Sequence, residues 1–142
     1  MEMPGLAPAP EFVVYALADQ VADKVGAMYE LHDVEQWPSS RFRDLVDLAL
    51  IVSSAELDAE PLLTALAAQP SHRPALPSLP AALVAPGPDW AAGYRTIALD
   101  APLPDHLRSL DPALAHVGEC LNPLLSGSRN SGRWRPGNGW ME

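Results

Sequence analysis

The amino-acid sequence predicts a mainly α-helical fold with one short β segment. Hydrophobic residues make up 48% of the 142 residues, which is enough for one domain with a buried core. Apolar side chains recur at helical spacing in residues 17–31 and again in residues 41–55. The 16 prolines are roughly double the usual share and indicate long connections between short elements.

The composition changes along the chain and divides it into three segments. Residues 1–16 are rich in proline and then in β-favouring residues, so we expect an extended arm followed by a short strand at residues 12–16. Residues 17–126 should form the helical domain. Residues 127–142 are rich in glycine and contain arginine and tryptophan, which predicts an irregular, basic and aromatic tail. The helices of the domain are predicted at residues 17–31, 41–55 and 61–69, from about residue 89, and from residue 105 or 111 to residue 125.

Charge and cysteine content exclude several classes of function. The formal net charge of −9 does not attract nucleic acid or an anionic membrane surface, so any contact with RNA must be local. A single cysteine, Cys120, cannot form an intrachain disulfide or a cysteine cluster for zinc. The chain has no apolar run of about 18 residues and no recognisable signal peptide. We therefore predict a cytoplasmic protein without membrane contact.

The only lysine of the chain, Lys24, lies on the apolar side of the first predicted helix. An unpaired ammonium group is very costly to bury, so this lysine must either find an anion or reach water along its own stem. Both alternatives are open from the sequence. The apolar stripe on which the lysine lies consists of Leu17, Val21, Met28 and Leu31.

Two aspartates share one face of the second predicted helix. Asp44 and Asp47 are three residues apart, so their carboxylates point in similar directions. They could form the solvated edge of a buried helix, accept a proton from a substrate hydroxyl, hold a cation or pair with Lys24. Arg41 and Arg43 could contact phosphate or neutralise the aspartates. Residue types alone fit a phosphate-handling site and a structural ion pair equally well.

Two segments of the sequence resemble the AbiEii/AbiGii-type nucleotidyltransferase toxins. The first is YALADQVADKVGAMYE, which contains the pattern D-x-x-A-D-K-x-x-A at residues 19–27. The second is PSSRFRDLVDLALIV, which contains R-D-x-x-D-L at residues 43–48. The two motifs together are more specific than either is alone.

The resemblance implies the helical carboxy-terminal half of a nucleotidyltransferase-like α/β protein. The implied activity is transfer of a nucleotide from a nucleoside triphosphate, with Mg²⁺, to an acceptor that is tRNA in some members. Such proteins are toxins of toxin–antitoxin systems and are linked to abortive phage infection, so a cognate antitoxin is expected. Carried over by position, Lys24 and Arg43 would contact the triphosphate. Asp44 would act as a base or polar anchor, and Asp47 would support the same catalytic site.

The sequence lacks the metal-binding motifs that precede these helices in the family. No glycine-serine turn followed by an acidic D-x-D strand comes before Lys24, and no residue of this chain is assigned to a metal. We therefore expect an amino-terminal half from elsewhere to complete the active site. The alternative is a non-catalytic helical domain that acts in nucleotide binding or protein interaction.

Overall fold

The computed structural model describes residues 10–32 and 38–142, with side chains from residue 16 onward. The described residues form five α-helices, one 3₁₀ helix and a three-stranded antiparallel sheet. This confirms the mainly helical fold with a short β segment. The elements are α1 (Pro10–Tyr29), α2 (Phe42–Ser54), β1 (Leu57–Asp58), α3 (Ala59–His72), α4 (Trp90–Ala98), the 3₁₀ helix (Asp105–Arg108), α5 (Leu110–Leu125), β2 (Arg133–Arg135) and β3 (Gly139–Met141).

The position predicted for the strand is wrong. Residues 12–16 form the first turns of α1, which begins at Pro10. Proline is well tolerated at the first position of a helix, because its missing N–H would have no partner there. Valine disfavours a helix by only about 0.5 kcal/mol per residue, so extension of a long packed helix overrides that preference. The arm predicted before residue 10 lies outside the described residues.

The core is formed by the five α-helices, including Trp90 and Tyr94 of α4. The contact between α1 and α3 is especially close. Gly26 permits this contact, because a Cβ atom at Gly26 would overlap the side-chain oxygen of Gln69. The side chain of Arg73 lies beside the same point. Fully buried side chains that fill the space between the helices are Val21, Val25, Met28, Leu45, Leu48, Val52, Leu62 and Leu121.

Helix α4 holds the start of α2 in place. The indole N–H of Trp90 donates to the carbonyl of Ser39 at 2.7 Å, and the Ser39 hydroxyl accepts from the backbone N–H of Arg41 at 3.0 Å. Phe42 packs edge-to-face against Trp90, with ring centroids 4.9 Å apart. These contacts orient the first turn of α2, which carries Asp44.

The tail predicted to be irregular forms a β-hairpin instead. Strand β2 pairs antiparallel with β1 and with β3, and Trp134 lies opposite Leu57 and Trp140. Trp134 is buried, whereas its neighbours Arg133 and Arg135 are exposed, as the alternation of a strand requires. The hairpin turn uses Gly137, whose φ of 82° suits glycine. The sequence pattern was too short to reveal a strand whose stability comes from packing on α2 and α5.

Both tryptophans of the hairpin are fixed on helices by hydrogen bonds. The indole N–H of Trp134 donates to the carbonyl of Val52 at 2.9 Å, and that of Trp140 donates to the carbonyl of Cys120 at 2.8 Å. The hairpin is therefore anchored on α2 and α5 by polar as well as apolar contacts.

Trp134→Ala should lower the free energy of unfolding by about 3–5 kcal/mol, because a buried indole and its hydrogen bond are lost. Met141→Ala, which truncates a side chain on β3 that is 47% exposed, should change it by less than about 0.5 kcal/mol. Equilibrium urea unfolding measures both values. Equal losses in the two variants would contradict the packing of the hairpin on the helices.

Candidate functional site

Lys24 reaches two carboxylates of α2 rather than bulk water. Its ammonium nitrogen lies 2.8 Å from Asp47 Oδ2 and 3.6 Å from Asp44 Oδ1. The lysine side chain is 18% exposed, so the charged group is screened only partly by solvent. The apolar stripe of α1 thus directs the lysine stem into the contact with α2, where the two aspartates meet it.

Asp44 is the most buried charged residue of this cluster, with 5% of its surface exposed. Arg41 Nε lies 3.2 Å from Asp44 Oδ2. The guanidinium is close enough to attract the carboxylate but is not aimed to donate, so Oδ2 has no hydrogen-bond partner among the described residues. Burial raises the pKa of Asp44, and the nearby charges of Arg41 and Lys24 partly oppose that rise. A buried carboxylate oxygen is therefore left able to accept a hydrogen bond.

A second polar network joins α1 to α3 beside this cluster. Gln69 is 2% exposed, and its side-chain amide donates to Asp23 Oδ1 at 2.8 Å. Arg73 donates from Nε to Gln69 Oε1 at 2.9 Å, from one terminal nitrogen to Glu30 Oε1 at 2.7 Å, and from the other to the Asp23 carbonyl at 3.2 Å. These bonds engage all three nitrogens of the Arg73 guanidinium, so it acts as a clamp between two helices.

The two networks border one cleft of about 160 Å³. Its walls carry three cationic side chains and two carboxylates, namely Lys24, Arg41, Arg73, Asp23 and Asp44, together with Gln20 and Ala27. Pockets for whole small-molecule ligands span roughly 300–1,000 Å³. The cleft is therefore the right size for one phosphate group, and the excess of cations suits an anion.

The sequence of residues 1–116 matches the family described as nucleotidyl transferase AbiEii toxin, type IV toxin–antitoxin system. The chain belongs to the AbiEii toxin family. This confirms the resemblance of the two helix motifs. No curated protein and no solved structure gives a significant match to the chain.

Membership of the AbiEii family supports a nucleotidyl transferase toxin of a type IV toxin–antitoxin system. Nucleotidyl transferases in general use a nucleoside triphosphate and a metal ion, and a toxin of such a system has an antitoxin as its counterpart. Residues 117–142, which include most of α5 and the whole hairpin, lie beyond the family match. Among the described helices, none is both long enough and apolar enough to cross a membrane.

The Asp44 and Asp47 pair of this AbiEii-family chain does not fit a metal ion by itself. No group of three or more potential ligand residues lies together within residues 10–32 and 38–142. The ammonium group of Lys24 already stands where the two carboxylates converge. A divalent cation would have to displace Lys24 and would still lack protein ligands.

The predicted site residues are brought together with one exception. Lys24, Asp44 and Asp47 meet, whereas Arg43 is exposed and does not line the cleft. Successive residues of a helix point about 100° apart, so the residue next to Asp44 turns away while Arg41, three positions earlier, shares its face. Sequence reasoning missed Gln69 and Arg73. A polar residue within the apolar run of α3 was the only signal available for Gln69.

Asp44→Asn should change how stability depends on pH. Because burial raises the pKa of folded Asp44 above 3.8, the folded protein binds this proton more tightly than the unfolded chain does. The contribution of Asp44 to the free energy of unfolding therefore decreases as the pH rises above 3.8 and the folded-state carboxyl group loses its proton. The free energy of unfolding of the variant, relative to the parent, should thus increase between about pH 4 and pH 7. Urea unfolding at a series of pH values measures it, and parallel curves for the two proteins would contradict the effect of burial.

Proposed function

We propose that this chain contributes Lys24, Asp44 and Asp47 to the site where a nucleotidyl transferase toxin handles its nucleoside triphosphate. The observation that carries the proposal is the buried, unpartnered Oδ2 of Asp44, which lies beside Lys24 and Arg41 in a phosphate-sized cleft. A structural ion pair alone would be expected to satisfy both oxygens of so buried a carboxylate.

Lys24 and Arg41 are proposed to contact phosphate oxygens. The side chain of Arg41 is 59% exposed, so its guanidinium can turn from Asp44 to an incoming phosphate at little cost and form a charge-assisted hydrogen bond. Lys24 remains held by Asp47 at 2.8 Å, which fixes the ammonium group in place. Arg43 lies outside the cleft, so the phosphate contact predicted for it would involve a more distant part of the ligand.

Asp44 is proposed to receive the proton of the acceptor hydroxyl. The hydroxyl oxygen forms a bond to the α-phosphorus, the bond from that phosphorus to the bridging oxygen breaks, pyrophosphate leaves, and the hydroxyl proton passes to Asp44 Oδ2. The raised pKa of Asp44 brings it nearer the working pH, as a general base requires. We further propose Mg²⁺ as the family's metal ion, bound by residues other than this cluster.

One observation favours phosphate binding without transfer as the second candidate function. Asp44 and Asp47 are partly neutralised by Lys24 and Arg41, and they do not form a metal site. A chain that presents only this cluster can hold a phosphate and leave the chemistry to another segment, such as the amino-terminal half predicted from the sequence.

The acceptor, the partners and the location are proposed from the family and the composition. The RNA acceptor is tRNA, the counterpart is a cognate antitoxin, the location is the cytoplasm, and the setting is abortive phage infection. The hairpin supports RNA contact weakly, since Arg129 is paired with Glu142 and Arg133 with Asp58. Arg135 is the hairpin arginine without an ion pair among the described residues.

Lys24→Gln and Arg41→Gln should each weaken binding of inorganic triphosphate and of nucleoside triphosphates by about tenfold or more, because each removes a charged hydrogen bond. Arg95→Gln, which removes an exposed arginine on α4 outside the cleft, is the matched control and should bind as the parent does. Isothermal titration measures the affinities, and thermal melting checks the fold. Arg41 is exposed, so loss of folding is not expected in that variant. Unchanged affinity in Arg41→Gln and Lys24→Gln would contradict the proposed phosphate contacts.

Asp44→Asn should abolish transfer of labelled nucleotide to total tRNA with Mg²⁺ while triphosphate binding is kept, because the base is lost but the phosphate contacts remain. Gel electrophoresis of labelled RNA measures transfer. Binding without transfer in the parent chain would favour the second candidate function. Full transfer by the variant would exclude Asp44 as the base.

A further inference from the structure

A second and larger cavity lies on the other side of α2, between the end of α2, the middle of α5 and the hairpin. Its volume is about 570 Å³, which is within the range of small-molecule sites. Ser53, on its wall, follows Asp44 by nine residues, and nine steps of about 100° place the two on opposite faces of the helix. This cavity is therefore separate from the cleft at Lys24.

One wall of the cavity is a rigid aromatic pair. Trp134 and Trp140 meet edge-to-face, with ring centroids 5.9 Å apart. Both indole N–H groups donate to backbone carbonyls of helices, Val52 of α2 and Cys120 of α5. The rings are thus held in position before any ligand arrives, and their N–H groups are not available to it.

The polar side of the cavity carries one formal charge. Glu119 is exposed and makes no ion pair with any described residue. His116 Nε2 lies 2.8 Å from the Ser53 hydroxyl oxygen. Burial lowers the pKa of His116, although the charge of Glu119 opposes this. The ring is therefore neutral at neutral pH, and the lining as a whole is negative.

We propose that this cavity binds a small organic cation that carries a primary ammonium or guanidinium group. Such a group is attracted by the face of a tryptophan ring and by a carboxylate, and the cavity holds both. The chain already contains this arrangement next to the cavity. The guanidinium carbon of Arg129 lies 5.4 Å from the centre of the Trp140 ring, and Arg129 pairs with Glu142 at 2.7 Å.

Charge and sequence position give further support. The net charge of −9 raises the local concentration of cations. Glu119 is the charged side chain of the cavity lining and no lysine or arginine lines it, so the cavity disfavours phosphorylated ligands. The hairpin that closes the cavity lies beyond the part of the chain that matches the toxin family. This site is therefore an addition to the AbiEii-like helices and does not depend on the phosphate cleft.

The test compares two ligands of nearly equal shape, N-acetyl-argininamide and its neutral isostere N-acetyl-citrullinamide, on the full chain. The arginine ligand should bind saturably, and the citrulline ligand should bind about tenfold more weakly, because cation–π attraction and the ion pair are lost. Titration followed by two-dimensional NMR locates the site. Of the four tryptophans, Trp134 and Trp140 should show shifted indole N–H signals, and buried Trp90 should not.

Glu119→Gln should weaken arginine binding by about tenfold as well. Glu60→Gln, which removes an exposed carboxylate of α3 that does not line the cavity, should leave it unchanged. Both residues are exposed, so both variants should fold. Equal affinity for the two ligands, tighter binding of uncharged nucleosides than of the arginine ligand, or shifts confined to Trp90 would overturn the proposal. An unchanged affinity in Glu119→Gln would overturn it too.

Discussion

The ammonium group of Lys24 between Asp44 and Asp47 is the interaction on which the arrangement of the candidate site depends. It joins α1 to α2 at a partly buried position, where the side chains of Lys24, Asp44 and Asp47 are 18%, 7% and 33% exposed. Removal of one partner leaves the opposite charge less well compensated. The constraint works in both directions. The aspartates fix the position of the lysine ammonium group, and the charge of Lys24 opposes the rise in the pKa of Asp44 that burial causes.

The close crossing of α1 and α3 supplies the other half of the cleft. Gly26 lets the helices approach until Gln69 and Arg73 reach across to Asp23 and Glu30. Because each nitrogen of the Arg73 guanidinium is held by a hydrogen bond, the wall at Arg73 is fixed, whereas the exposed Arg41 on the other wall can rearrange. The wall at Arg41 can move to admit an anion, while the fixed wall at Arg73 keeps the carboxylates in place.

The chain therefore has a helical part that matches the AbiEii family and a carboxy-terminal part that lies beyond this match. The helices up to the middle of α5 carry the AbiEii match and the phosphate-sized cleft. The hairpin docks by Trp134 and Trp140 onto α2 and α5 and creates a cavity of opposite charge preference. An anion cleft and a cation cavity can coexist on one small domain because α2 separates them.

The helical fold, the place of Lys24 on the apolar side of α1 and the shared face of Asp44 and Asp47 could all be predicted from the sequence. These features follow from the periodicity of single helices, which is local. The outward position of Arg43 also follows from helix geometry, but the motif resemblance drew attention to it as a phosphate contact.

The tertiary structure decided the rest. Residues 12–16 became helical as the start of the long helix α1. The glycine-rich tail became a hairpin because its packing against α2 and α5 outweighs weak local preferences. The partnership of Gln69 with Asp23 and the missing partner of Asp44 Oδ2 depend on how α1, α2 and α3 meet. The residue spacing within a single segment cannot predict these contacts, because they join side chains more than 20 residues apart along the chain.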